Sequence, residues 1–359
     1  MKKLFDVTCH SLVFKKMEWK LIEESVFSKR KKDLVNSLNV SMAYVNRLLS
    51  DVRDRARLYP VFDYPRMGLA HVVLFLRESS DVNLATYSRS FSLVEELGGR
   101  GEKYNLIIGL VPYDFVDDYI AVVGEPVFAV KGLEYRAFNQ SNKSFYKVRY
   151  ADNKKVEVIP ALSKLNFSLD DNNKPERPKS IRVPDPIDLA IMVYRYTHDV
   201  FMRPVNAVKK AIEDSVLFAL KWRDERYLTQ LVAYHFNSHY DLYWKYNSVY
   251  LSYDTGLYPP IAILLTGEQH YVVARILSSI PFFHRAVIGE DSSFVTGFLY
   301  SPSFKRITEI INRFDVEWRV FFVKRINWRG MPKLYELVGK RKSSWKWIWE
   351  SSVIKKVRR

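Results

Sequence analysis

The chain has 359 residues, 48% apolar and 15% aromatic, enough for two or three packed domains, which excludes a wholly disordered chain. Lysine and arginine total 56 against 40 acids, a formal charge of +16. A balance that basic points to an anionic partner: nucleic acid, an acidic membrane surface or a multiply charged small molecule.

Residues 1–68 read as a winged helix-turn-helix. Lys15 to Val26 suits a first helix with Met17, Leu21 and Ile22 inward, and Asp33 to Leu38 a short second one. Asn39-Val40 is a turn, and Ser41 is a good N-cap for a third helix whose Val45, Leu49 and Val52 form one buried stripe. Ser50 shares the other face with Met42, Ala43, Asn46, Arg47 and Arg53, and Leu58 to Asp63 can return as a wing strand. Such a unit lays its third helix in a major groove. The candidate DNA-contacting residues are therefore Lys29, Arg30, Lys31, Lys32, Ser41, Met42, Ala43, Asn46, Arg47 and Arg53. Asn46 and Arg47 would reach base edges while the basic run and the wing meet phosphate. The competing reading is a three-helix core with a solvated basic face.

From Gly68 onward the sequence repeats itself. Gly68-Leu69 and Gly256-Leu257 each precede an apolar run, and Gly109 and Gly297 each sit in the middle of a strand-like segment; both pairs are 188 residues apart. In 69–135 the pattern predicts strand 70–77, an amphipathic helix Val82 to Phe91, strand 92–97, the turn Gly98-Gly99-Arg100-Gly101, strand 105–111, helix Tyr113 to Val123 and strand 127–131. In 257–330 it predicts strand 260–266, helix 269–280, strand 282–288, strand 293–300, helix 303–314 and strand 316–325. This β-α-β-β-α-β order is that of a ferredoxin-like (ACT/RAM-like) module, giving an α+β fold class.

Between the repeats, 136–183 suggests a β-hairpin around Asp152-Asn153 followed by a polar linker. Residues 184–256 read as a divergent second helix-turn-helix: Pro186 to Val200, Val205 to Leu217, and a longer third helix Arg223 to His239 with Leu228, Leu231 and Val232 inward. It either binds DNA or is kept for packing. The tail, 331–359, interleaves basic residues with Trp345, Trp347 and Trp349, which suits nucleic acid, a membrane surface or simple packing.

A small winged helix-turn-helix followed by a βαββαβ module resembles the leucine-responsive regulator (Lrp/AsnC) family of bacterial and archaeal transcription factors. The likeness is carried by Leu38-Asn39-Val40-Ser41, the third-helix stripe, the wing, Gly68-Leu69, and the turn Gly101-Glu102-Lys103-Tyr104-Asn105-Leu106, with Gly289-Glu290-Asp291 in the second copy. Family members usually carry one such unit, and this chain has two. The resemblance implies a non-enzymatic regulator of double-stranded DNA. It also implies a small effector, often an amino acid, bound between modules that pack sheet to sheet within one chain as a pseudo-dimer, or else between chains in a homodimer. Paired helix-turn-helix units would then sit about one turn of DNA apart.

Catalytic signals are sparse: the sequence has no phosphate-binding glycine motif, zinc-protease motif or nucleophile elbow, and no cofactor is expected. The turn Gly98 to Gly101 is a hairpin more than an anion cradle, and Asp117-Asp118 fit a solvated helix face. His235 and His239, four apart with Asp241 near, can present two imidazoles on one helix face, but paired histidines on an aromatic helix fit packing, and no metal is expected. Cys9 is the single cysteine, excluding an intrachain disulfide and a cysteine-rich zinc site. With no signal-length or membrane-length apolar run, the expectation is a cytoplasmic protein. Two rivals stand beside the regulator. One is an enzyme resembling siroheme decarboxylases, with His71, His284 and Arg285 as candidate polar groups. The other is a non-catalytic adaptor with a vestigial DNA face.

Overall fold

The structure is a computed structural model. It describes residues 13–349 apart from 81–86, 98–100, 144–145, 152–154, 161–172, 215–216, 218–219, 221–222, 254, 257, 300, 329–330 and 342–343. No helix among the described residues is long and apolar enough to cross a membrane.

The first unit opens with strand β1 (Val13–Lys15) and helices α1 (Lys16–Glu24), α2 (Lys31–Leu38) and α3 (Met42–Val52), followed by strand β2 (Ala56–Phe62). The Ser41 hydroxyl accepts the Tyr44 N–H and so caps α3, satisfying an otherwise orphaned donor. Val45 and Val52 are buried as expected, but the third fully buried residue of the stripe is Leu48, with Leu49 half-buried beside it. Asn39 takes φ 53° after α2, the left-handed conformation that Asn tolerates and that stops the helix.

The first repeat contributes β3 (Leu69–Arg77), β4 (Ser88–Glu96), β5 (Lys103–Pro112), α4 (Val116–Val123) and β6 (Phe128–Lys131), then β7 (Glu134–Ala137). The helix expected over Val82 to Phe91 is replaced from 88 onward by strand β4; 81–86 lie outside the described residues, as do 98–100 of the glycine turn. The predicted hairpin is present as β8 (Tyr146–Ala151) and β9 (Lys155–Pro160), with β1 added to its edge. Helices α5 (Pro186–Thr197), α6 (Pro204–Glu213), α7 (Glu225–Ser238) and α8 (Tyr240–Tyr243) precede β10 (Trp244–Leu251). The second repeat is β11 (Pro260–Thr266), α9 (His270–Ser278), β12 (Phe283–Ile288), β13 (Ser292–Phe298), α10 (Ser301–Ile311) and β14 (Glu317–Trp328). A tail hairpin, β15 (Val338–Arg341) and β16 (Ser344–Trp347), ends the described chain.

Nine of these strands form one antiparallel sheet in the order β6-β3-β5-β4-β14-β11-β13-β12-β7. Each repeat supplies four neighbours in its own order 4-1-3-2, and the repeats join through β4 and β14. The last strand of each repeat serves both halves. The start of β14 pairs with β11 and its end with β4; likewise β6 pairs with β3, while β7, two residues on, pairs with β12. The sheet therefore curls until its edges meet at Gly132. A Cβ there would fall 2.6 Å from a Val287 methyl and 2.7 Å from the His71 carbonyl oxygen. Phe75 meets Phe294 and Phe321 across the interior, at ring distances of 5.9 and 4.8 Å, so the inner faces of the repeats face each other. Outside, Gly109 leaves room for the Tyr119 ring of α4, 2.7 Å from where a Cβ would sit.

Strands β2 and β10 form a separate ribbon over this sheet. At the 188-residue offset Tyr59 corresponds to Asn247 and Pro60 to Ser248; the ribbon pairs Tyr59 with Ser248 and Pro60 with Asn247. The pairing is symmetric about its middle, as in a two-fold contact between like subunits. The tail packs on the first repeat: Trp347 donates its indole N–H to the Met67 carbonyl (2.8 Å), and Trp349 stacks on Tyr87 at 5.5 Å.

Candidate functional site

Two regions carry convergent polar chemistry around the predicted residues. The first is a cleft of about 730 Å³ where the first unit meets α6 and α7, lined by Lys29, Arg30, Lys31, Lys32, Met42 and Asn46 on one side and Arg203, Asn206, Thr229 and Ala233 on the other. The outer face of α3 is open: Ser41, Met42, Ala43, Asn46, Arg47, Ser50 and Arg53 are all exposed. The Arg47 guanidinium lies over the Tyr44 ring at 4.6 Å, held on that outer face.

The basic run divides. Asp33 accepts the backbone N–H groups of Lys29 and Arg30 and fixes the run at the start of α2. Lys29 pairs with Asp241 and lies over the Trp244 ring at 5.1 Å. Arg30 donates to the Asn237 side chain at 2.7 Å and covers the Phe236 ring. These two cations knit the first unit to the second. Arg195, buried, helps by donating to the Lys29 carbonyl, and Asn247 donates to the carbonyls of Ser25 (2.8 Å) and Ser28 (2.7 Å). Lys31 donates to Asn46 at 3.0 Å, leaving Lys32 and Arg203 exposed in the cleft with no ion pair among the described residues. Asn46 of α3 and Asn237 of α7 are thus joined through two consecutive side chains, Lys31 and Arg30. Helices α3 and α7 border one cleft.

The second region is a partly open pocket of about 440 Å³ at the end of the curled sheet beneath the β2–β10 ribbon. Ser90 and Ser92 of β4, Tyr135 of β7, and His284, Arg285 and Thr296 of the second repeat line it, and Arg53, Arg57, Tyr59, Tyr196 and Tyr250 border it. The Thr296 hydroxyl lies 3.0 Å from Arg285 Nε, which donates to it, and 3.0 Å from His284 Nε2. His284 Nδ1 is buried without a partner. Burial, reinforced by the Arg285 charge, holds the His284 imidazole well below its ordinary pKa, so the ring is neutral at neutral pH. Burial beside Tyr135 and Tyr196 pushes the Tyr59 phenol well up. Among the described lining residues there are three arginines and no carboxylate. Sequence reasoning marked His284 and Arg285, and Arg53 as a DNA contact, but missed the rest. His71 is elsewhere, stacked on Tyr135 at 4.3 Å inside the packed core.

Comparison with protein-family models, curated proteins and solved structures gives no match to this chain.

Proposed function

We propose that this chain is a DNA-binding regulator, built as two winged helix-turn-helix units on paired ferredoxin-like modules, that responds to a small anionic effector. The observation that carries the reading is α3. Its apolar stripe is consumed by a three-helix core, its N-terminus is capped by Ser41, and its opposite face, with Asn46, Arg47 and Arg53, is exposed. A capped, amphipathic third helix with a free polar face is what a major groove requires. Because α3 and α7 border one cleft, the operator contact is one composite surface dominated by the first unit.

The cavity supports the effector half of the reading. Its volume lies within the ~300–1,000 Å³ usual for small-molecule sites, and its guanidinium groups suit a carboxylate or phosphate. Arg53 is the C-terminal cap residue of α3, and Arg57 lies on β2 immediately after it. Both line the cavity, so an anion drawn to them acts on the end of the DNA-facing helix. The convergence of His284 and Arg285 on this cavity is also the one observation favouring the enzyme reading. A tetrapyrrole absorbance titration that gave tight stoichiometric binding, with turnover, would replace the regulator.

Mobility-shift titration against fragments of a genomic library tests the proposal. One class of fragment should be retained at low protein, with affinity falling steeply as salt rises. Equal retention of all fragments would defeat specific regulation.

A further inference from the structure

Apart from both regions, Asp185, Asp188, His235 and His239 bring one ligand atom each to within 4.8 Å of one another. Asp185 is the N-cap of α5, and Asp188 lies in its first turn; the histidines occupy one face at the end of α7. His235 Nδ1 stands 2.9 Å from Asp188 Oδ1 and 3.2 Å from Asp185 Oδ2, and His239 Nδ1 stands 3.1 Å from Asp188 Oδ2. Asp185 uses its other oxygen, Oδ1, to accept the N–H groups of Ile187 and Asp188. The structure assigns these four side chains as a binding site for one divalent transition metal ion of the zinc class.

Three features carry the assignment. The first is the donor set: two imidazole nitrogens and two carboxylates are ligands that zinc takes in four-coordinate sites. The second is spacing. One donor atom from each of the four residues lies within 4.8 Å of the others, and three histidine–carboxylate separations are 2.9–3.2 Å, near the ~3.3 Å edge of a tetrahedron with bonds of ~2.0–2.2 Å. The third is charge. Asp188 is buried, Asp185 is half-buried, and neither has a lysine or arginine partner among the described residues. Two such carboxylates, both largely withdrawn from solvent, repel each other. A divalent cation balances both carboxylates and uses all four donor atoms. The side chains of Asp185 and His239, 16% and 18% exposed, leave an entry path. The carboxylate considered for the histidine pair in the sequence, Asp241, is instead engaged by Lys29. The ion would clamp α5 to the turn of α7 that holds Asn237 against Arg30. None of this depends on what the cleft binds.

Calorimetric titration of the full chain with zinc, after chelator treatment and dialysis, tests the site. One zinc should bind per chain with submicromolar Kd and raise the unfolding temperature. Changes merely around a metal's ligands cost 10–100-fold in affinity, so His239→Ala and Asp185→Asn should each cost at least 100-fold. Asp185→Asn keeps an N-cap while removing a charged ligand, so it separates lost ligation from lost folding; circular dichroism of both variants should match the parent. Absence of zinc binding up to 100-fold molar excess overturns the assignment, as does binding that both variants leave unchanged.

Discussion

Arg47 and Lys32 face outward by different routes, and their substitution should read out differently. Arg47 sits mid-helix on the open face of α3 over Tyr44. A guanidinium there that forms a bidentate base contact is worth ~1–3 kcal/mol of discrimination, so Arg47→Ala should flatten the preference at one operator position. Lys32 has no base-facing position and should act on phosphate, so Lys32→Ala should weaken all sequences alike and lower the log–log salt slope by about 0.9. Lys29→Ala should leave that slope unchanged, because Lys29 is spent on Asp241. Mobility shifts at several salt concentrations separate the three. His284 makes a different prediction. Its folded pKa lies well below the ordinary histidine value, because burial and Arg285 disfavour the charged ring. As pH drops below ~6.5 the unfolded chain takes up a proton that the folded one refuses, so stability is lost with acid, by up to ~1.4 kcal/mol per pH unit. His284→Gln should flatten that slope in denaturant unfolding between pH 6.5 and 5; parallel slopes for parent and variant would count against a neutral buried imidazole.

At the scale of elements, what was legible followed from periodicity, and what was not had a physical cause. The second repeat reads correctly because β11 is a nearly continuous apolar run that leads into an amphipathic α9. Strand β4 misleads because Ser90 and Ser92, which line the cavity, and Ser88, which meets the Tyr119 hydroxyl on the other face, are all buried hydroxyls, so the alternation does not look apolar. The metal-ligand set was half visible: the spacing of His235 and His239 is local, but Asp185 and Asp188 meet them only through the packing of α5 on α7. The extended strand running from β6 into β7 was also invisible past Lys131, since its second half pairs with a strand some 150 residues away. Capping was legible, and it can be measured. Ser41→Ala should cost about 1 kcal/mol through the freed Tyr44 N–H, seen as a lower midpoint with an unchanged denaturant slope. A loss below 0.3 kcal/mol would mean α3 holds its first turn without the cap.

The whole molecule is organised around a two-fold relation made inside one chain. It appears in the ribbon, where Tyr59 and Ser248 pair about the middle, and again in the sheet, where the final strand of each repeat crosses to the other. Unpaired strand edges recruit other chains. Here the two terminal strands of the nine-stranded order, β6 and β7, are consecutive in sequence and lie against each other's neighbours: Leu133 N–H donates to the Ile288 carbonyl at 2.8 Å, and Gly132 N–H to that of His71 at 2.8 Å. The contact that separate subunits would make by dimerising is already satisfied. The chain is therefore expected to be monomeric at micromolar concentration, with a light-scattering mass near 42.3 kDa. Phe75→Ala, which empties the interior where the repeats meet, should cost ~3–5 kcal/mol and unfold both repeats in a single transition, because Phe75 touches Phe294 and Phe321 of the second. Two separate transitions in that variant, or a parent mass twice the expected one, would show that the halves are not closed on each other.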